Sequence, residues 1–132
     1  MITDPIADML TRLRNANARR FSTVQIPASR FKEAVAALLV REGWIEKSEL
    51  IKPENDHAYL LLTLKYSADQ PVIRGLTRIS KSGQRIYMNQ AELRKQLSNR
   101  METIVVSTSE GLMSGSDAKK AQLGGEVLFK IW

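Results

Sequence analysis

The stretch WIEKSELIKPENDHAYLLLTLKY, residues 44–66, decides the fold of the first half of the chain. Two extended runs, Trp44–Lys52 and Ala58–Tyr66, flank Pro53-Glu54-Asn55-Asp56. Pro presets φ at the corner of a turn, and Asn and Asp bond their own backbone two residues on, so this tetrapeptide reverses the chain. The stretch reads as a β-hairpin. Upstream, Ser29 caps a helix that places Phe31, Val35, Leu38 and Leu39 on one face and ends at Gly43. Thr23-Val24-Gln25-Ile26 is a short strand closed by Pro27. Before it, Asp4-Pro5 opens a helix whose stripe is Ile6, Met9, Leu10 and Leu13.

Downstream, Ser67-Ala68-Asp69-Gln70-Pro71 has the composition of a linker. Val72–Ile79 and Arg85–Met88 then read as a second hairpin around Lys81-Ser82-Gly83-Gln84. Asn89 and Glu92 have the spacing of a capping box, opening a helix to about Asn99. Thr103–Thr108 is a β-branched strand, Ser116–Gln122 a short helix, and Gly124-Gly125 turns the chain into a last strand, Glu126–Ile131. The reading is a mixed α/β (α+β) protein of two small modules with hairpins in both halves: residues 1–66, a linker at 67–71, and residues 72–132 as the main binding half.

The 132 residues amount to one ordinary domain or two very small ones. Lys and Arg number 20 against 14 Asp and Glu, a net charge of +6. Without cysteine the chain has no disulfides, thiolate metal sites or Cys nucleophile, which fits a reducing compartment. The longest apolar run, Ala34–Val40, is far short of the roughly 20 residues a membrane helix needs. Met1–Pro5 lacks the basic region of a secretion signal, so a soluble, intracellular protein is expected.

The charge is uneven. Within residues 71–100, Arg74, Arg78, Lys81, Arg85, Arg94, Lys95 and Arg100 face only Glu92 among acids. That is the electrostatic footprint of a polyanion-binding surface, or else a solvated face tuned for solubility. Ser107-Thr108-Ser109 follows a strand that otherwise reads as core and leads through Glu110 to Gly111. Each hydroxyl donates one hydrogen bond and accepts two, which suits ribose hydroxyls and base edges of folded RNA. The same composition also describes a turn that satisfies its own backbone. Tyr87 beside Arg85 offers a ring to stack on a base and a cation for phosphate, or is a ring packed on the sheet. Gly124-Gly125-Glu126 places a carboxylate where a base amino group would donate to it.

Enzyme readings lack parts. His57 is the only histidine, so a zinc site and a His-based triad are both incomplete. Ser107 and Ser109 lack the Gly-x-Ser-x-Gly elbow, and no Gly-Lys-Ser/Thr accompanies the glycines. Asp4 and Asp8 suit a helix N-terminus rather than acid catalysis. The expectation is no enzyme, metal or cofactor. A protein-interaction module is the competing class, and a small hydrolase using Ser107 or His57 a remote third.

Four segments together resemble one family. Asp4-Pro5-Ile6-Ala7-Asp8-Met9-Leu10-Thr11-Arg12-Leu13-Arg14-Asn15-Ala16 is similar to the opening of bacterial-type small-subunit ribosomal protein eight. Arg78–Tyr87 resembles that family's middle hairpin, and Val105–Met113 and Leu123–Val127 its C-terminal signatures. The segments occur in the family's order and spacing. The resemblance implies direct binding of small-subunit rRNA early in central-domain assembly, and contacts with the fifth and twelfth small-subunit proteins. It also implies, in some bacteria, repression of the protein's own operon through an mRNA mimic. Localisation would be the cytoplasmic ribosome, or the plastid stroma for an organellar source. It puts Ser107, Thr108 and Ser109 against RNA, supported by Tyr87, Gly124, Gly125 and Glu126, with Thr3, Ser29, Arg30 and Lys81 facing the RNA backbone. Arg85 joins this set from its own chemistry. The sequence departs from the family at Glu110, usually basic or neutral, and at Ser82, usually Pro. Gly115 and Ser116 replace a common acidic–basic pair, and Gln122 replaces a Gly. The last two bear on phosphate contacts of the short C-terminal helix, where Lys119 and Lys120 are substitute cations.

Overall fold

A computed structural model describes residues 5–97 and 101–132. The expected capping role of Asp4, the end of the helix near Asn99, and Thr3 all lie outside the described residues. The chain divides into two compact units, Met1–Arg74 and Gly75–Trp132.

In the first unit, α1 (Pro5–Ala18) turns Met9, Leu10, Leu13 and Ala16 inward, while Ile6 is only half-buried. Asp8 accepts from Arg12 one turn later at 3.0 Å, acid before base, the favourable order for an i,i+4 pair. β1 (Thr23–Pro27) leads to α2 (Arg30–Arg41), where Ser29 Oγ accepts from the Lys32 amide at 3.1 Å, as a capping serine should. Val35, Leu38 and Leu39 are buried, and Phe31 is half-buried. β2 (Ile45–Ile51) and β3 (Tyr59–Leu64) form the hairpin read from residues 44–66. β3 is central, between β1 and β2, in an antiparallel sheet. Leu60, Leu62 and Leu64 alternate into the core, the period of a strand with one covered face. Residues 67–71, read as a linker, lie in a two-stranded element, β4 (Tyr66–Ser67) pairing β5 (Gln70–Pro71).

The second unit is a five-stranded antiparallel sheet with two short helices. Its strands are β6 (Leu76–Arg78), β7 (Tyr87–Met88), β8 (Thr103–Thr108), β9 (Gly111–Ser114) and β10 (Gly125–Ile131). Its helices are α3 (Gln90–Gln96), with both halves of the Asn89/Glu92 capping box formed, and α4 (Gly115–Lys120), capped by Ser114. Leu93 and Ala118 from the helices meet Ile104, Val106 and Val127 from the sheet in a buried cluster. The described residues include no helix long and apolar enough to cross a membrane.

The hairpin expected between residues 72–79 and 85–88 is not formed as a ladder. β6 and β7 both pair with β10, β6 along Phe129–Ile131 and β7 along Gly125–Glu126, end to end on one edge. Between them residues 81–85 project as a finger, closed by the Lys81–Gln84 bridge. The hairpin of this half is instead β8–β9, turning through Ser109 and Glu110. The seven-residue β10 offers an edge long enough to seat both arms.

Gln122, just past the end of α4, has φ of +59°. Left-handed backbone costs an ordinary residue about 1–2 kcal/mol, which glycine avoids at a loss of unfolded-state entropy. Gln122→Gly should raise unfolding stability by about 0.5–1 kcal/mol, read as a later urea midpoint with unchanged m.

Candidate nucleic-acid interface

The candidate residues of the second unit converge on one row of the sheet. Glu126 of β10 pairs with Tyr87 of β7 on one side and with Ser107 of β8 on the other. Residues opposite one another across a sheet share a face, so Tyr87, Glu126 and Ser107 project together. Their neighbours Val106 and Val127, one residue out of phase, lie in the core. Tyr87 is 66% exposed, so its ring is not packed against the sheet. Arg85, on the finger, donates from Nη1 to Glu126 Oε2 at 3.1 Å.

The two glycines have a packing reason to be where they are. A Cβ on Gly125 would lie 2.2 Å from the Ser107 carbonyl oxygen, and one on Gly124 would lie 2.5 Å from that of Met88. The start of β10 therefore needs bare backbone to slot between β7 and β8.

At the β8–β9 turn the three hydroxyls divide. Thr108 Oγ1 donates to the Gly111 carbonyl at 2.8 Å and accepts from the Glu110 amide at 3.1 Å, so it holds the turn. Gly111, at φ of +108°, takes a backbone that L residues avoid. The side-chain hydroxyls of Ser107 and Ser109 make no hydrogen bond to another described residue, and Ser109 is exposed. Glu110 is exposed at the tip. Lys81 is exposed on the finger. Ser29 and Arg30 belong to the first unit, where Ser29 spends its oxygen on capping and Arg30 is exposed. His57 is exposed in the β2–β3 loop, and no group of three or more His, Asp or Glu among the described residues could hold a metal.

Ser80 carries no chemical signal of its own in the sequence. It is buried, and its Oγ accepts from the Ile86 amide at 2.8 Å and donates to the Ile86 carbonyl at 3.3 Å. That clasp closes the base of the finger carrying Arg85. The only sequence signal is a serine at the junction of strand and turn, a common composition.

A family profile described as Ribosomal protein S8 matches residues 4–132, which puts the molecule among the ribosomal proteins. The chain is 47% identical over 133 residues to the small ribosomal subunit protein uS8 of Thermoanaerobacter sp. (strain X514), covering 100% of this chain and 99% of that one. It is 44% identical over 132 residues to the uS8 protein of Nitratidesulfovibrio vulgaris (strain DP4), with 100% of both chains covered. With that of Mycoplasmopsis synoviae (strain 53) it shares 43% over 131 residues, 99% and 98% of the two chains. The chain belongs to the ribosomal protein S8 family, which is structural rather than enzymatic.

Ser80→Ala should cost about 1–2 kcal/mol, because it strips a partner from the partly buried Ile86 amide. Thermal unfolding measures the loss, and faster amide exchange at Ile86 and Tyr87 locates it on the finger.

Proposed function

We propose that the protein is a structural constituent of the small ribosomal subunit that binds its rRNA directly, through the Tyr87–Glu126–Ser107 row and the adjoining turn. The observation that carries this reading is the pair of unspent hydroxyls on Ser107 and Ser109 beside an exposed ring and an exposed guanidinium. Lys81, Arg85 and, from the first unit, Arg30 supply attraction to phosphate that is independent of sequence. The serines read the distorted RNA, Tyr87 stacks on an unpaired base, and Thr108 keeps the turn in shape for them. Gly124 and Gly125 let the backbone come close, and Ser29 and Thr3 face the RNA backbone by family position. Family membership supports association with the small subunit. Contacts with the fifth and twelfth small-subunit proteins, and repression of the protein's own operon, extend the same reading. So does residence on cytoplasmic ribosomes, or on those of a plastid.

Two measurements test it. Ser107→Ala with Ser109→Ala should weaken binding to small-subunit rRNA by on the order of 1–3 kcal/mol per hydroxyl. The salt slope should hardly change, since no charge is removed; wild-type affinity in the double variant would refute the assignment. Glu110→Lys should tighten binding by about 1 kcal/mol, exchanging repulsion of phosphate for attraction across a screened surface. Titration at two salt concentrations reads this directly. Weaker binding at both would mean that Glu110 accepts from a base.

A further inference from the structure

The carboxylate in the middle of the row is electrostatically out of place. By charge alone, Glu126 repels the RNA that Lys81 and Arg85 attract. Its side chain is only 14% exposed, whereas that of its partner Arg85 is 57% exposed. The contact uses one donor, Nη1 to Oε2 at 3.1 Å. A guanidinium carries five N–H donors in a rigid fork, so Arg85 can stay on Glu126 and still offer the rest outward. Leaving for a phosphate would strand a largely buried carboxylate, a costly state. The finger is otherwise tied to the sheet at its base, by the Ser80 clasp and the Lys81–Gln84 bridge. Glu126 is what ties the guanidinium itself to the row.

We infer that Glu126 is a positioning residue, anchoring Arg85 so that its free donors meet an RNA phosphate at a fixed place beside Tyr87 and Ser107. This rests on the RNA-binding reading above and adds to it a division of labour: Lys81 acts as a loose charge, Arg85 as an oriented one. Charge and anchoring predict opposite signs when Glu126 loses its charge. If the carboxylate merely repels, Glu126→Gln makes the protein more cationic and tightens every RNA complex. If it anchors, the same change frees Arg85 and weakens the specific complex.

The experiment titrates the full chain as wild type, Glu126→Gln, Arg85→Ala and the double variant. The two RNAs are deproteinised small-subunit rRNA and a poly(A)·poly(U) duplex, each over a range of salt. Glu126→Gln is expected to weaken rRNA binding about three- to tenfold, the range of a charge-assisted contact at a partly exposed site. Duplex binding should be unchanged or tighter. In the Arg85→Ala background the weakening should vanish. Glu126→Asp, which keeps the charge but shortens the reach, should also weaken the rRNA complex, and unfolding midpoints confirm that the variants fold. Tighter rRNA binding by Glu126→Gln, with a steeper salt slope, overturns the inference. So does equal weakening with or without Arg85, which would make Glu126 an RNA contact in its own right, and so does wild-type affinity in Glu126→Asp. If neither Arg85→Ala nor the serine double variant changes rRNA binding, the interface itself is misassigned. If both do and Glu126→Gln does not weaken binding, only the anchoring is.

Discussion

The second unit depends on the backbone of β10 lying close between its neighbours. This strand pairs with β8 along one edge and with β6 and β7 along the other, and its first residue has no room for a side chain. Register follows from that fit. Because side chains alternate faces, a slip by one residue would carry Glu126 into the core and expose Val127. A register shift between Val127 and Phe129 solves a second problem. In a regular strand these two residues would share a face. The extra residue lets Val127 lie with Val106 while Phe129 lies with Val105, on the other side. Both faces of the sheet are thereby buried at that level.

Local signals in the sequence were dependable where the structure they specify is itself local. The Ser29 cap, the Asn89/Glu92 box and the turn at Pro53–Asp56 each need only a few neighbouring residues, and each forms as read. The partners of β6 and β7 were not legible, because an alternating segment says that it pairs but not with what. The true partner lies about forty residues from β7 and more than fifty from β6, whereas proximity in sequence points to the nearest strand.

The site shows the same limit. The chemistry of Ser107, Arg85, Tyr87 and Glu126 marks each of them separately. That Glu126 sits between Tyr87 and Ser107 is a matter of register and cannot be read from spacing. Thr108 was grouped with its neighbours because its hydroxyl is of the same kind; the fold separates it by giving that hydroxyl to the Gly111 carbonyl and the Glu110 amide. Ser80 escaped notice for the converse reason, a buried polar role hidden in a turn-like composition.

The end-to-end seating of β6 and β7 on β10 also sets an order of events during synthesis. Residues 76–88 are synthesised before residues 125–131, and until those are made neither short strand has the edge it pairs with. Contacts so distant in sequence form late, after the cost of closing the intervening loop has been met. A nascent chain thus carries an aromatic ring and a cation on an unfastened finger, with Ser107 of β8 not yet aligned beside them. Completion of one strand brings all of them into line at once, which makes the proposed surface a property of the finished sheet and of no shorter fragment.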